Sequence, residues 1–75
     1  MNMQQKALAI VARISGKDVS ELEPRHELVA DLGIDSPKAL QLLLDLEDEL
    51  GLEISDEDAA KMDTVEDILG FLAAT

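Results

Sequence analysis

The run SPKALQLLLDLEDELG, residues 36–51, reads as one helix with a stop behind it. Proline fixes φ and has no N–H to donate, so Pro37 suits the first helical turn and pushes the residue before it out of the α region. Ser36 is thereby expected at the N-cap, the helix is expected over Pro37 to Leu50, and Gly51 ends it. On a wheel turning about 100° per residue, Ala39, Leu42, Leu43, Leu46 and Leu50 fall within about 100° of one another, with Leu40 beside them. Those residues make a sufficient core stripe. Leu44 lies about 160° from the stripe centre, near Pro37 and between Glu47 and Asp48. A single surface leucine needs no explanation. One ringed by carboxylates also has the form of a docking patch, with an apolar anchor and a charged rim.

Working outward, Met3, Ala7, Leu8, Ile10, Val11 and Ile14 recur at three- and four-residue steps, which predicts a first helix over Asn2 to Ser15, capped by Asn2 and stopped by Gly16. Residues 16–35 hold Gly16, Pro24 and Gly33 with apolar Val19, Leu22, Leu28, Val29, Leu32 and Ile34 at irregular intervals. This reads as a long loop pinned to the core by those side chains, and long ordered loops are often functional. Ser55 with Asp58, and Thr64 with Asp67, match the helix-start pattern S/T-x-x-D/E. The first begins a short helix ending near Met62; the second begins a fourth helix carrying Val65, Ile68, Leu69, Phe71 and Leu72, with Gly70 inside it. No strand-length alternation and no repeat occurs. The expected fold is all-α: a small four-helix bundle of three main helices and one short one with a long first loop, in a single domain over residues 1–75.

A chain of 75 residues buries only about 60% of the surface its unfolded form exposes, which disfavours a deep enzyme cleft. A hydrophobic share of 47% is that of a folding chain and not of an acidic disordered tail. The charge is unevenly placed. Residues 1–30 hold four basic and four acidic side chains, whereas residues 31–75 hold Lys38 and Lys61 against thirteen acids, so the whole net charge of −11 lies there. Such a half repels nucleic acid and anionic membrane and favours a basic protein surface as partner. Cysteine is absent, which removes disulfides, thiolate metal sites and a cysteine nucleophile. Any thiol chemistry needs a thiol brought from outside the chain. The longest charge-free apolar runs, Ala7 to Ala12 and Ala39 to Leu44, are far below the roughly 20 residues that span a bilayer. No secretory signal is visible at the start, so a cytoplasmic protein is expected.

Catalytic patterns are missing. His26, the single histidine, has no evident nucleophile beside it, and neither G-x-S-x-G nor G-x-x-x-x-G-K-S/T occurs. Asp56 and Asp58 have calcium-loop spacing, but Ala60 takes the next ligand position and Lys61 stands where a sharp turn wants glycine, so no metal site is expected. Ser36 remains. From the residues alone it is either a plain helix cap or a hydroxyl placed where free N–H groups and the helix dipole favour a phosphoryl group.

The run Asp31, Leu32, Gly33, Ile34, Asp35, Ser36 resembles the D-L-G-x-D-S motif of acyl carrier proteins, whose serine carries a 4′-phosphopantetheine arm. The likeness extends over nearly the whole chain, through the acidic second helix, the Glu53, Ile54 step and the short acidic helix before Thr64 and Val65. The resemblance implies a non-enzymatic carrier. In it Ser36 bears the arm, donated from coenzyme A by a phosphopantetheinyl transferase, and Asp35 helps to position that enzyme. Acyl intermediates ride on the arm as thioesters and pass to enzymes of fatty acid, lipid or related biosynthesis through basic docking patches, with no membrane insertion and as a monomer. The docking face is assigned to Pro37, Gln41, Leu44, Glu47, Asp48 and Asp56, and the acyl pocket to Leu42, Leu43, Leu46, Leu50, Ile54, Met62 and Ile68. Two departures stand out: the family usually has leucine where Pro37 stands and often an acid where Gln41 stands. They point to a specialised carrier with its own partner enzymes. A peptidyl or aminoacyl carrier with cargo outside the bundle, and an acidic helical adaptor without a prosthetic group, are the competing readings.

Overall fold

The computed structural model describes residues 2–74. Four α-helices are present among them: α1 over Met3–Ser15, α2 over Ser36–Leu50, α3 over Asp56–Ala60 and α4 over Val65–Ala73. A 3₁₀ turn at Val19–Glu21 interrupts the first connection. This is the expected bundle, three longer helices and one short.

Each helix begins where a side chain can satisfy the free N–H groups of its first turn. Asn2 accepts from the Gln5 N–H at 2.8 Å while the Gln5 side chain accepts from the Asn2 N–H at 3.3 Å, a reciprocal cap for α1. Ser55 caps α3 through the Asp58 N–H, and Thr64 pairs with Asp67 in the same reciprocal way for α4. One expectation changes. The cap of α2 is Asp35, whose carboxylate accepts from the Lys38 N–H at 3.1 Å, so Ser36 is the first helical residue and not the cap. Asp35 and Ser36 are both good capping types, and Pro37 is tolerated at the second helical position as well as at the first. α2 ends as expected at Gly51, whose φ of +66° is left-handed and favours glycine.

The core is built from three helices and the loop. Ala7, Ile10 and Val11 of α1, Leu42 and Leu46 of α2, and Val65, Ile68 and Leu72 of α4 form one cluster with Leu28, Leu32 and Ile34 of the connection. α3 places no fully buried residue in it. Burial of a leucine or isoleucine side chain contributes roughly 1.5–3 kcal/mol, so the three loop residues are a real part of what holds the fold. Of the six apolar loop residues expected to pin that segment, Val19 and Val29 point outward and Leu22 is half-buried.

The loop is also tied by its backbone to the start of α4. The Val65 N–H donates to the His26 carbonyl at 3.0 Å, the Glu66 N–H to Pro24 at 2.9 Å, and the Leu28 N–H to Asp63 at 2.9 Å, beside an isolated antiparallel bridge between Glu27 and Thr64. His26 is a loop residue; its Nδ1 accepts from the Glu23 N–H at 3.1 Å.

α1 and α2 are joined outside the core by one fork. Arg13 reaches Glu49 at 2.6 Å and Asp45 at 3.1 Å, and these hydrogen bonds, Glu49's first, hold the guanidinium above its ordinary pKa. Among the described residues no helix is long and apolar enough to cross a membrane, and no group of three or more metal-ligating side chains converges.

Candidate functional site

Residues 27–36 form a closed turn that delivers Ser36 to the surface. Glu27 accepts from the N–H groups of Asp31 and Leu32, the Gly33 N–H donates to Val29, and the Ile34 N–H donates to Leu28 at 2.9 Å. Gly33 has a φ of +67°, a conformation in which other residues are strained, so the reversal between Leu32 and Ile34 calls for glycine here. Leu32 and Ile34 are buried on either side of it, and Ile34 has no exposed surface. With Ile34 fixed inward, Asp35 and Ser36 come out into solvent at the start of α2.

The hydroxyl of Ser36 is left unoccupied by the fold. Ser55 and Thr64 spend theirs on capping, and Ser15 bonds the Ala12 carbonyl at 3.3 Å. Among the described residues, Ser20 and Ser36 are the hydroxyls in no internal hydrogen bond, and Ser36 alone stands at the start of a long helix. The helix terminus is less open to an anion than the sequence suggested. Pro37 has no N–H, the Lys38 N–H goes to the Asp35 carboxylate, and the Ala39 N–H goes to the Asp35 carbonyl at 2.7 Å, which leaves the Ser36 N–H in the first turn.

Beside Ser36 runs an exposed apolar ridge. Leu40 and Leu44 follow it at four-residue steps and are 59% and 50% exposed, and Val29 on the adjoining turn is 69% exposed. Pro37, Gln41, Asp48 and Asp56 are exposed as well. Glu47 is half-buried, and its carboxylate accepts from the Ile54 N–H at 2.9 Å, closing the turn after α2. Gln41 donates to Asp45 at 2.7 Å and so supports the acid that Arg13 holds. Lys38, one of two cations in residues 31–75, has no ion-pair partner among the described residues, whereas Lys61 lies 3.7 Å from Glu57.

One helical turn beyond Ser36, Ala39 enters an open cleft of about 410 Å³, lined also by Glu27, Leu28, Val29, Ala30, Ile34, Met62 and Asp63. Of the seven pocket residues expected from the sequence, the structure brings Met62 to this cleft. Leu42, Leu46 and Ile68 are buried in the core, and Leu43, Leu50 and Ile54 are half-buried. Val29, Leu40 and the lining residues of the loop were not among the expected site residues. The signal that could have found Leu40 is its place on the wheel, one turn after Ser36 and one before Leu44.

The bundle thus holds an unengaged serine at the surface, with an apolar ridge along the same helix and a cleft opening at Ala39 one turn away. The family model for the phosphopantetheine attachment site matches residues 5–72. The chain is 38% identical over 72 residues to the acyl carrier protein of Solidesulfovibrio magneticus, with 96% of this chain and 92% of that one covered. It is 30% identical over 71 residues to the acyl carrier protein of Rickettsia bellii, covering 95% and 83% of the two chains. A solved Mycobacterium tuberculosis structure assigned as an acyl carrier protein superposes with a TM-score of 0.88 at 37% identity, over 97% of each chain. The chain belongs to the phosphopantetheine-attachment family and is an acyl carrier protein, a non-enzymatic carrier with a covalent 4′-phosphopantetheine.

Proposed function

We propose that Ser36 is the attachment residue and that the chain delivers acyl thioesters to enzymes of fatty acid, lipid or related biosynthesis in the cytoplasm. The observation that carries this reading is the free hydroxyl of Ser36 at the start of α2, with capping taken over by Asp35. In loading, the serine oxygen attacks the phosphorus next to the pantetheine of coenzyme A, the bond to adenosine 3′,5′-bisphosphate breaks, and the hydroxyl proton passes to a base of the transferase. The arm supplies the terminal thiol that a chain without cysteine lacks. Asp35, exposed beside Ser36, is offered to the transferase.

Partners dock along the ridge. Leu40 and Leu44 are the apolar anchors, Val29 and Pro37 flank them, and Asp48 and Asp56 supply the charged rim that basic partners find at long range. Gln41 and Glu47 act through the structure, one by steadying Asp45 and the other by closing the turn at Ile54. Pro37 puts a rigid ring beside the arm, which favours a dedicated set of partner enzymes. The acyl tail lies in the cleft at Ala39 and Met62, with walls that contain no aromatic ring and a methionine that adapts to its guest.

The experiment is incubation of the full chain with coenzyme A and a promiscuous phosphopantetheinyl transferase, followed by intact mass. One arm is expected on wild type and none on Ser36→Ala. Loading of the variant, or no loading of wild type by several transferases, overturns the assignment.

A further inference from the structure

We propose that Glu27 and Asp63 select the cargo of the cleft: they admit an acyl tail with a neutral far end and hold off one that ends in a carboxylate. This rests on the reading of Ser36 as the attachment point. The cleft is formed by two distant parts of the chain, the turn over residues 27–34 and the link between α3 and α4. Backbone pairing joins the two: Glu27 bridges Thr64, and the Leu28 N–H donates to the Asp63 carbonyl at 2.9 Å. The same pairing brings an acidic residue from each wall, exposed to solvent, to the lining of a cleft whose other lining residues are apolar.

Neither carboxylate is otherwise employed. Asp31, Asp35, Glu47 and Asp67 each accept a backbone N–H, whereas the side chains of Glu27 and Asp63 enter no hydrogen bond or ion pair among the described residues. No cation lines the cleft among those residues. A tail ending in a methyl group gains from burial there. A tail ending in a carboxylate surrenders water for apolar walls and meets two like charges without a counter-charge. Because the cleft is open, screening over a Debye length of about 8 Å limits the electrostatic part at physiological salt, and roughly fivefold in the ratio of docked to undocked tail is its expected size.

The test loads the full chain with octanoyl-coenzyme A or its ω-carboxy counterpart, confirms each form by intact mass, and compares NMR shifts at Leu28, Ala39 and Met62 with those of the unacylated arm-bearing form. Octanoyl is expected to move these resonances, and the ω-carboxy chain to move them several-fold less. In the Glu27→Gln, Asp63→Asn double variant, which keeps side-chain size and breaks no bond, the ω-carboxy shifts should rise about fivefold in docked ratio at physiological salt, and by more at low salt, while the octanoyl shifts stay put. Equal shifts for both tails in wild type, or no change in the double variant, overturn the inference. Loaded octanoyl that moves none of the three residues overturns it too and leaves the attachment reading standing; failure to load at Ser36 removes both.

Discussion

The Asp35 carboxylate accepts the Lys38 N–H at 3.1 Å, so the helix that begins at Ser36 is capped by the residue before it. The two neighbouring side chains thereby have separable effects. Asp35→Ala removes a cap and is expected to lower stability by about 1 kcal/mol. Ser36→Ala removes an exposed hydroxyl that bonds none of the described residues and is expected to stay within about 0.5 kcal/mol of wild type. Chemical denaturation of the two variants checks this; a larger loss for Ser36→Ala would mean that the hydroxyl has a structural task.

Glu47 and Asp48 are adjacent acids with different surroundings. Asp48→Lys is expected to slow association with a basic partner enzyme while leaving the thermal midpoint nearly unchanged. Glu47→Lys withdraws the acceptor of the Ile54 N–H and is expected to cost roughly 1–3 kcal/mol of stability, because that N–H is partly buried. Stopped-flow binding beside thermal melts separates the two; equal midpoints would contradict the role given to Glu47.

Asp67 gives the pH dependence a sign. Its carboxylate accepts from the N–H groups of Asp63 at 3.0 Å and Thr64 at 3.1 Å, and these bonds hold it below the ordinary carboxylate value of 3.8. A group lowered on folding contributes its stability above the unfolded value and loses it as the pH falls through the folded one. The advantage of wild type over Asp67→Asn should therefore be constant near neutrality and shrink only below the unfolded value. Urea midpoints measured down the acid range test this, and a gap that closes already near pH 6 would contradict it.

The acidic excess of residues 31–75 is relieved at two points by Arg13, which holds Asp45 and Glu49. Arg13→Gln is expected to lower the thermal midpoint at low salt, with the deficit narrowing as added salt screens the remaining charges and raises the midpoint of both proteins. A midpoint indifferent to salt would show that self-repulsion there is negligible.

What was legible in the sequence follows from how local the signal is. Asn2, Ser55, Thr64, Gly16 and Gly51 mark their helix ends through contacts three or four residues away, and those ends were found. α2 starts one residue earlier than the sequence predicts, because Asp35 and Ser36 can both cap and Pro37 permits either frame. Burial in the loop was half legible: Leu28, Leu32 and Ile34 go inward but Val29 does not, since no period governs an irregular segment. The cleft was largely illegible, because it exists only where the turn at residues 27–34 meets Met62 and Asp63 across 28 to 36 positions of chain. Leu44 was readable as an outward leucine, whereas the withdrawal of Glu47 toward Ile54 depends on a turn that no wheel describes.

The most direct measurement is peptide-level mass analysis of this protein isolated from the cells that make it. One phosphopantetheine is expected on the peptide containing Ser36 and none on peptides containing Ser20 or any other hydroxyl. A chain that carries the group elsewhere, or never carries it, would contradict the assignment of Ser36.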